Sequence, residues 1–366
     1  MIVGAGPAGI GIGAMLKELG VERMVILERE TVGATFTKWP EEMRFITPSF
    51  TTNFFGHLDL NAVVSGTSPA YTLRKEHPTG EEYAQYLRGV AEHLELPIAE
   101  GADVEAVIPS KGSFTLRLAH GKTLTSRFVI WAAGEFQYPN LHALPGAELC
   151  LHSSHVQSWK ALDGDEFYII GGYESGIDAA IHLSRYGKRA RVLERDRTWH
   201  TRTTDPSENL APFTLERLQE EMNYGCIELA GGVTVEEVSL EDGTYVLHLK
   251  DQPTPLKSTR PPILATGFDT SLVLVHDLFH WHEYEPYCLL TDQDESTRTP
   301  GLFLVGPQVR HDDLIFCFIY KYRQRFGVVA NAIGTQLGMD TAILEQYRSE
   351  GLYLDDLSCC GDECVC

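Results

Sequence analysis

Two six-residue runs carry the chemistry most open to a reading, GAGPAG from Gly4 to Gly9 and GGYESG from Gly171 to Gly176, each set between a β-branched run and a helix-like stretch. In the first, Gly4 turns the chain, Gly6 lets the backbone approach a pyrophosphate, and Gly9 lets the following helix pack on its strand, with Pro7 and Ala8 opening that helix. Free N–H groups and the helix dipole then favour the negative charge of phosphates. Glu28 ends the next strand at the distance where an acid meets the ribose hydroxyls of an adenosine. Strand, glycines, helix, strand and acid in register imply a bound adenine dinucleotide. The second run, Gly171, Gly172, Tyr173, Glu174, Ser175 and Gly176, implies another, and Glu194 closes its second strand. A chain that holds two dinucleotides is built to pass electrons between them.

Other residues offer further chemistry. Cys359, Cys360, Cys364 and Cys366 crowd into the last eight positions as CCGDECVC, whereas Cys150, Cys226, Cys288 and Cys317 are scattered and read as reduced core thiols. The terminal four suit a thiol relay by mixed disulfides, a soft-metal cage, or a tail without a chemical role. Asp355, Asp356, Asp362 and Glu363 surround them and work against thiolate formation. His276, His280 and His282 resemble metal ligands by spacing alone, and a polar helix face accounts for them better. Lys321, Arg323 and Arg325 fall at the start of a helix and read as solvated cations, with an approach of one of them to a bound nucleotide's phosphates as the alternative.

The elements that position these groups follow from pattern. Met1–Leu27 reads as strand, helix, strand; Gly80–His93 as a helix; Asp103–Ile108 and Ser113–Leu118 as alternating strands; Phe128–Trp131 as a buried strand ending in Ala132, Ala133 and Gly134. The pattern restarts with the strand Glu166–Ile170, the second glycine run, a helix over Ser175–Tyr186 and a strand over Ala190–Leu193. A helix over Leu215–Tyr224 and a strand over Thr244–Leu249 precede a Pro-rich link, Pro253–Pro262, and a second small-residue strand end at Ala265–Gly267. Gly301–Gly306 is a short apolar strand and Phe316–Leu337 one long helix. The expected fold is α/β, with two Rossmann-like nucleotide-binding domains of the glutathione-reductase type, the second inserted in the first. The expected boundaries are 1–150 and 256–340 for the FAD domain, 151–255 for the NAD(P)H domain, and 341–366 for the cysteine-bearing tail.

Composition narrows the class. The 366 residues suffice for two or three domains, and a formal charge of −21 excludes a phosphate-neutralising nucleic-acid surface. No segment approaches the roughly 18 apolar residues that span a bilayer, and the apolar start lacks the basic region of a signal peptide. A cytoplasmic enzyme with a small-molecule substrate is expected. Only Met1, Ile2 and Val3 precede the first glycine, so the pattern expects a few residues upstream.

The order of GxGxxG, A-A-G, a second glycine loop and ATGF resembles the two-dinucleotide-binding flavoproteins of the pyridine nucleotide-disulfide oxidoreductase superfamily, and among them the flavin-containing monooxygenases. IIGGYESGIDAAIHLS is similar to that family's NADPH loop, and ATGF at Ala265–Phe268 to its late hinge motif. The resemblance implies FAD and NADPH, with NAD an alternative, and a monooxygenase acting on a small soft nucleophile. It implies FAD contacts at Gly4, Gly6, Pro7, Ala8, Gly9, Glu28, Thr47, Gly134, Gly267 and Gly306, and a catalytic Asn53 from the TTN element near the flavin, walled by Phe50, Phe54 and Phe55. Arg195, Arg197 and Arg202 follow Glu194 and offer partners for a ribose phosphate, whereas Glu194 itself favours a free ribose diol.

Departures from the family pattern are equally legible. The fingerprint around His152 is degenerate, with Leu144, Pro145 and Gly146 before it and Glu148 in place of a glycine. Tyr173 replaces the middle glycine of the second loop and is expected to crowd a pyrophosphate. Pro307 replaces the acid that usually follows Gly306, leaving Gln308 as the nearest polar substitute. The alternative activity is reduction of a disulfide or metal ion through Cys359 and Cys360, in which the tail reaches a neighbouring subunit's flavin, so a homodimer is an open expectation.

Overall fold

The structure, a computed structural model, describes residues 1–51, 58–196, 199 and 207–358. It divides into two compact units: residues 1–37, 48–135 and 270–366 form the first, and 38–47 with 136–269 form the second.

The first unit opens with β1 (Ile2–Val3), α1 (Pro7–Glu18) and β2 (Ile26–Leu27), followed by the short α2 (Ala34–Thr37) and α3 (Pro69–Leu73). α4 (Gly80–His93) begins at a capping box, in which the Thr79 hydroxyl accepts from the Glu82 N–H and the Glu82 carboxylate accepts from the Thr79 N–H. Then come β3 (Ile98–Ala99), the antiparallel meander β4 (Val104–Ser110), β5 (Ser113–Leu118) and β6 (Thr123–Ser126), and β7 (Val129–Trp131). Every residue of β1, β2 and β7 is buried, which is why these strands read as unbroken apolar runs rather than alternating ones.

The second unit repeats this plan. After β8 (Leu151–His152) come β9 (Glu166–Ile170), α5 (Glu174–Arg185), β10 (Arg189–Glu194), α6 (Pro212–Met222) and β11 (Ile227–Gly231). A meander of β12 (Val235–Glu241), β13 (Thr244–Leu249) and β14 (Gln252–Ser258) leads to β15 (Ile263–Leu264). Its parallel sheet has the order β11-β10-β9-β15-β8. Residues 256–269, which the pattern reading assigns to the returning half, pack with this unit because β14 pairs β13 and β15 pairs β9.

The chain returns to the first unit through the hairpins β16 (His280–Trp281) with β17 (Cys288–Leu289) and β19 (Arg310–His311) with β20 (Leu314–Ile315), which flank β18 (Leu302–Leu304). Its last described α-helices are α7 (Ile319–Tyr322) and α8 (Phe326–Leu337), followed by a 3-10 segment at Ala342–Arg348. The first unit's parallel sheet runs β18-β7-β1-β2-β3. Each unit is therefore a five-stranded parallel sheet plus a three-stranded meander, with the glycine-loop strand in the centre.

Four expectations are corrected. The stretch Pro253–Pro262 is not a link: it begins as β14, an edge strand on which the prolines at 253 and 255 break no inner ladder. The long helix Phe316–Leu337 is broken into α7, a 3-10 turn at Arg323–Arg325, and α8. Lys321, Arg323 and Arg325 are not solvated but 5%, 2% and 0% exposed. The histidines share no helix face: His276 lies in a 3-10 segment broken at Val275 and stacks on Trp281, while His280 is in β16.

Candidate functional site

The two glycine loops have the same local geometry. Gly4 and Gly171 take φ of +103° and +104°, and a Cβ on either would strike the carbonyl oxygen of Ala132 or Ala265 at 2.5 or 2.3 Å. Glycine is required there on both counts. A Cβ on Gly9 or Gly176 would lie 1.9 Å from the carbonyl oxygen of Gly4 or Gly171, so helix and strand meet only because these side chains are absent.

Gly6 caps α1 without a side-chain hydrogen bond, Pro7 occupies the first turn, and nothing lies within 4 Å of where a Gly6 Cβ would be. That open, uncapped helix start fits a pyrophosphate. Ala8 is buried beneath it, 3.5 Å from where a Gly306 Cβ would stand. The Glu28 carboxylate accepts from the Ala5 and Glu30 N–H groups, both at 2.8 Å. Each oxygen keeps a lone pair for a ribose hydroxyl. Gly134, with φ +65°, leaves β7 beside β1 and faces open space. Gly306 leaves β18, and Gln308 two residues on is hydrogen-bonded to the Glu135 carboxyl.

In the second loop, Tyr173 holds φ −94° and ψ −162°, close to the −80° and −170° of Gly6. This extended backbone admits any residue. The Tyr173 hydroxyl lies 2.8 Å from the carbonyls of both Ser207 and Asn209, to which its one proton can be given in turn, and this leads the ring toward that segment. Glu174 accepts from the Ala211 N–H and the Thr214 hydroxyl, tying the loop to the start of α6. Burial raises the Glu174 carboxyl, against the lowering effect of these two donors. Ser175 is half-buried in the same turn. Glu194 accepts from the N–H groups of Gly172 at 2.5 Å and Asp196 at 3.0 Å, repeating the Glu28 arrangement. Trp199 donates to the Gly172 carbonyl at 2.9 Å. Arg195 is 76% exposed and pairs with the surface carboxylate of Asp196.

Gly267, with φ +78°, leaves β15 as Gly134 leaves β7, and its carbonyl oxygen lies 3.0 Å from Nε2 of the buried His152. Burial lowers the His152 imidazole from its ordinary value, partly opposed by the Gly267 carbonyl. Thr47 belongs to the 38–47 segment of the second unit. Phe50 is 50% exposed and builds no wall by itself. Asn53, Phe54, Phe55, Arg197, Arg202, Cys359 and Cys360 lie outside the described residues. Burial pushes the Cys150 and Cys288 thiols up to about 12, which makes them unreactive at neutral pH. Among the described residues no group of three His, Cys, Asp or Glu side chains could hold a metal. None of their helices is long and apolar enough to cross a membrane.

The residues 1–306 match the family described as pyridine nucleotide-disulphide oxidoreductase. The chain belongs to that family. It is an FAD-dependent oxidoreductase. Bacilliredoxin reductase Bdr of Bacillus subtilis is 23% identical over 239 residues, which is 65% of this chain and 68% of the relative. Ferredoxin–NADP reductase of Gluconobacter oxydans is 26% identical over 276 residues, 70% of this chain and 74% of the relative. The solved flavin-containing monooxygenase of Stenotrophomonas maltophilia superposes with a TM-score of 0.71 at 16% identity, covering 92% of this chain and 98% of that one.

Two residues of the site escaped the pattern reading. Glu135 was readable only as the residue after a small-residue strand end, and its partner Gln308 is far away in sequence. Trp199 reaches Gly172 by a tertiary contact for which the sequence carries no periodic signal.

Proposed function

We propose that this chain is an NADPH-dependent FAD oxidoreductase of the monooxygenase type, with FAD in the first glycine loop and NADPH in the second. The duplicated loop geometry, from Gly4 and Gly171 to Glu28 and Glu194, is the observation that carries the reading. Bound FAD supplies two-electron chemistry, accepting a hydride and passing the electrons on. The chain's own part is to hold and orient. Gly6 and the start of α1 receive the pyrophosphate, Glu28 receives the ribose diol, and Gly134 and Gly306 leave room for the rest. Arg195 serves the NADPH ribose phosphate, because its guanidinium is exposed and paired at the surface with Asp196 while Glu194 is engaged by loop N–H groups.

The acceptor reading rests on thiols. The first loop carries Ala8 and no cysteine, burial makes Cys150 and Cys288 unreactive, and Cys226 and Cys317 each stand alone in the sequence, so no C-x-x-C dithiol is offered among the described residues. Electrons then go to dioxygen, and one oxygen atom goes to a thioether, thiol or amine: substrate, O2, NADPH and H+ give oxygenated substrate, water and NADP+. A second reading is favoured by CCGDECVC and by the bacilliredoxin reductase relative: a disulfide, NADPH and H+ give two thiols and NADP+. Product accounting separates them. Oxygenated product formed one-for-one with NADPH supports the first. Anaerobic NADPH consumption matched by thiol release, and abolished by Cys359→Ser or Cys360→Ser, overturns it in favour of the second.

A further inference from the structure

The first unit contains a titratable group for which the function proposed above has no use. In its parallel sheet, β2 and β3 lie on one side of β1 and β7 and β18 on the other, so the strand order reverses between β1 and β7. Open α/β sheets bind ligands beyond the carboxyl ends of their strands at such a reversal. Gly4 leaves β1, Gly134 leaves β7 and Gly306 leaves β18 at that end. Glu135 follows Gly134 directly, and its carboxyl is hydrogen-bonded to Gln308 from the Gly306 loop. The glycines around the pair leave space: nothing stands within 4 Å of a Cβ built on Gly6 or Gly134.

From α7, the buried phenol of Tyr322 feels the Glu135 carboxyl. The neighbouring Arg323 turns its guanidinium to the carbonyls of Leu58, Asp59 and Ala62. Burial raises the Glu135 carboxyl and the Gln308 hydrogen bond only partly opposes it. The group thus holds a proton further up the pH scale than an exposed glutamate does.

Whatever the acceptor, the chemistry is short of one proton. A hydride from NADPH carries two electrons and one proton, whereas both overall reactions above consume one further H+ per NADPH. We propose that Glu135 is the group that delivers this proton in the dinucleotide crevice, with Gln308 as the residue that positions it. The Glu135 O–H bond breaks, the proton bonds to the group that has received the hydride, and the carboxylate stays ionised until the electrons have passed on, when it is reprotonated from solvent. This inference rests on FAD occupying the first loop.

The test compares the chain with Glu135→Gln, which keeps the shape and the Gln308 contact. The midpoint potential of the FAD-loaded protein is measured against pH. Above the pH at which oxidised-state Glu135 ionises, the proton must come from solvent, so the slope steepens by one proton per two electrons. That is tenfold per pH unit, or about 30 mV. The unaltered protein should show this break and Glu135→Gln should lose it, with Glu135→Asp moving it to another pH if the glutamine variant does not fold. The same break in Glu135→Gln overturns the inference alone. In the FAD-free protein, infrared spectra should show a carboxylic-acid C=O band that titrates and is absent from Glu135→Gln; its presence in the variant contradicts the assignment. A chain that takes up no FAD overturns this inference together with the function proposed above.

Discussion

Arg325 is fully buried and is neutralised there by Asp294, whose carboxylate oxygens accept from its Nε and from one terminal nitrogen, both at 2.9 Å. Further donation goes to the carbonyls of Asp292 and Leu354, and His311 Nε2 lies 2.6 Å from the same carboxylate. Removing one partner of such a pair leaves an uncompensated charge, so Asp294→Ala should lower stability by about 3–5 kcal/mol in urea unfolding. A loss under about 1 kcal/mol would contradict the buried pair. Arg195→Ala tests the opposite kind of cation, one on the surface. Losing a charge-assisted hydrogen bond, worth about 1.5–3 kcal/mol, should raise the KM for NADPH at least about tenfold and leave the KM for NADH unchanged. Equal effects on both cofactors would remove the ribose-phosphate role. These two arginines also show what a single sequence conceals. Arg325 and Arg195 each sit in a polar run, and only the distant Asp294 distinguishes the buried one.

α4 was legible to the residue because its start signal is local: Thr79 and Glu82 form a capping box within four positions. Burial pulls the Glu82 carboxyl up, but hydrogen bonds from Lys75 and Thr79 and the Lys75 charge hold it below the usual carboxylate range. A depressed pKa in the fold adds stability above the unfolded value near 4.3, and that stability is lost as pH falls through the folded value. Glu82→Ala should therefore cost about 1 kcal/mol at neutral pH, and the gap should close in acid. A gap independent of pH would mean that the carboxylate contributes nothing. The glycine loops were legible for the same reason of locality. Gly9→Ala should give a protein that takes up no FAD, whereas Gly176→Ala should remain yellow yet no longer bleach with NADPH. Identical behaviour of the two variants, read by absorbance, would contradict separate duties for the loops. Tertiary pairing hid other elements: β14 is a strand through its pairing with β13, in spite of its prolines, and the 3-10 turn between α7 and α8 carries the buried Arg323 and Arg325.

Across the whole molecule, one plan of five parallel strands plus a three-stranded meander is used twice, with the second unit's segment 136–269 inserted between residues 135 and 270 of the first. The repeat was visible in sequence as two glycine runs and two small-residue strand ends, Ala132–Gly134 and Ala265–Gly267. Residues 38–47 carried no such mark. They pack with the second unit, where Glu42 accepts from Ser158, Trp159 and Lys160. An architecture of two dinucleotide units is expected to move electrons from one nucleotide to the other, and that is the claim to test first. The purified protein, loaded with FAD, is titrated with NADPH without oxygen while the flavin absorbance is followed. Bleaching complete at one NADPH per FAD is the predicted result; a yellow protein left unbleached by excess NADPH and by excess NADH would contradict it.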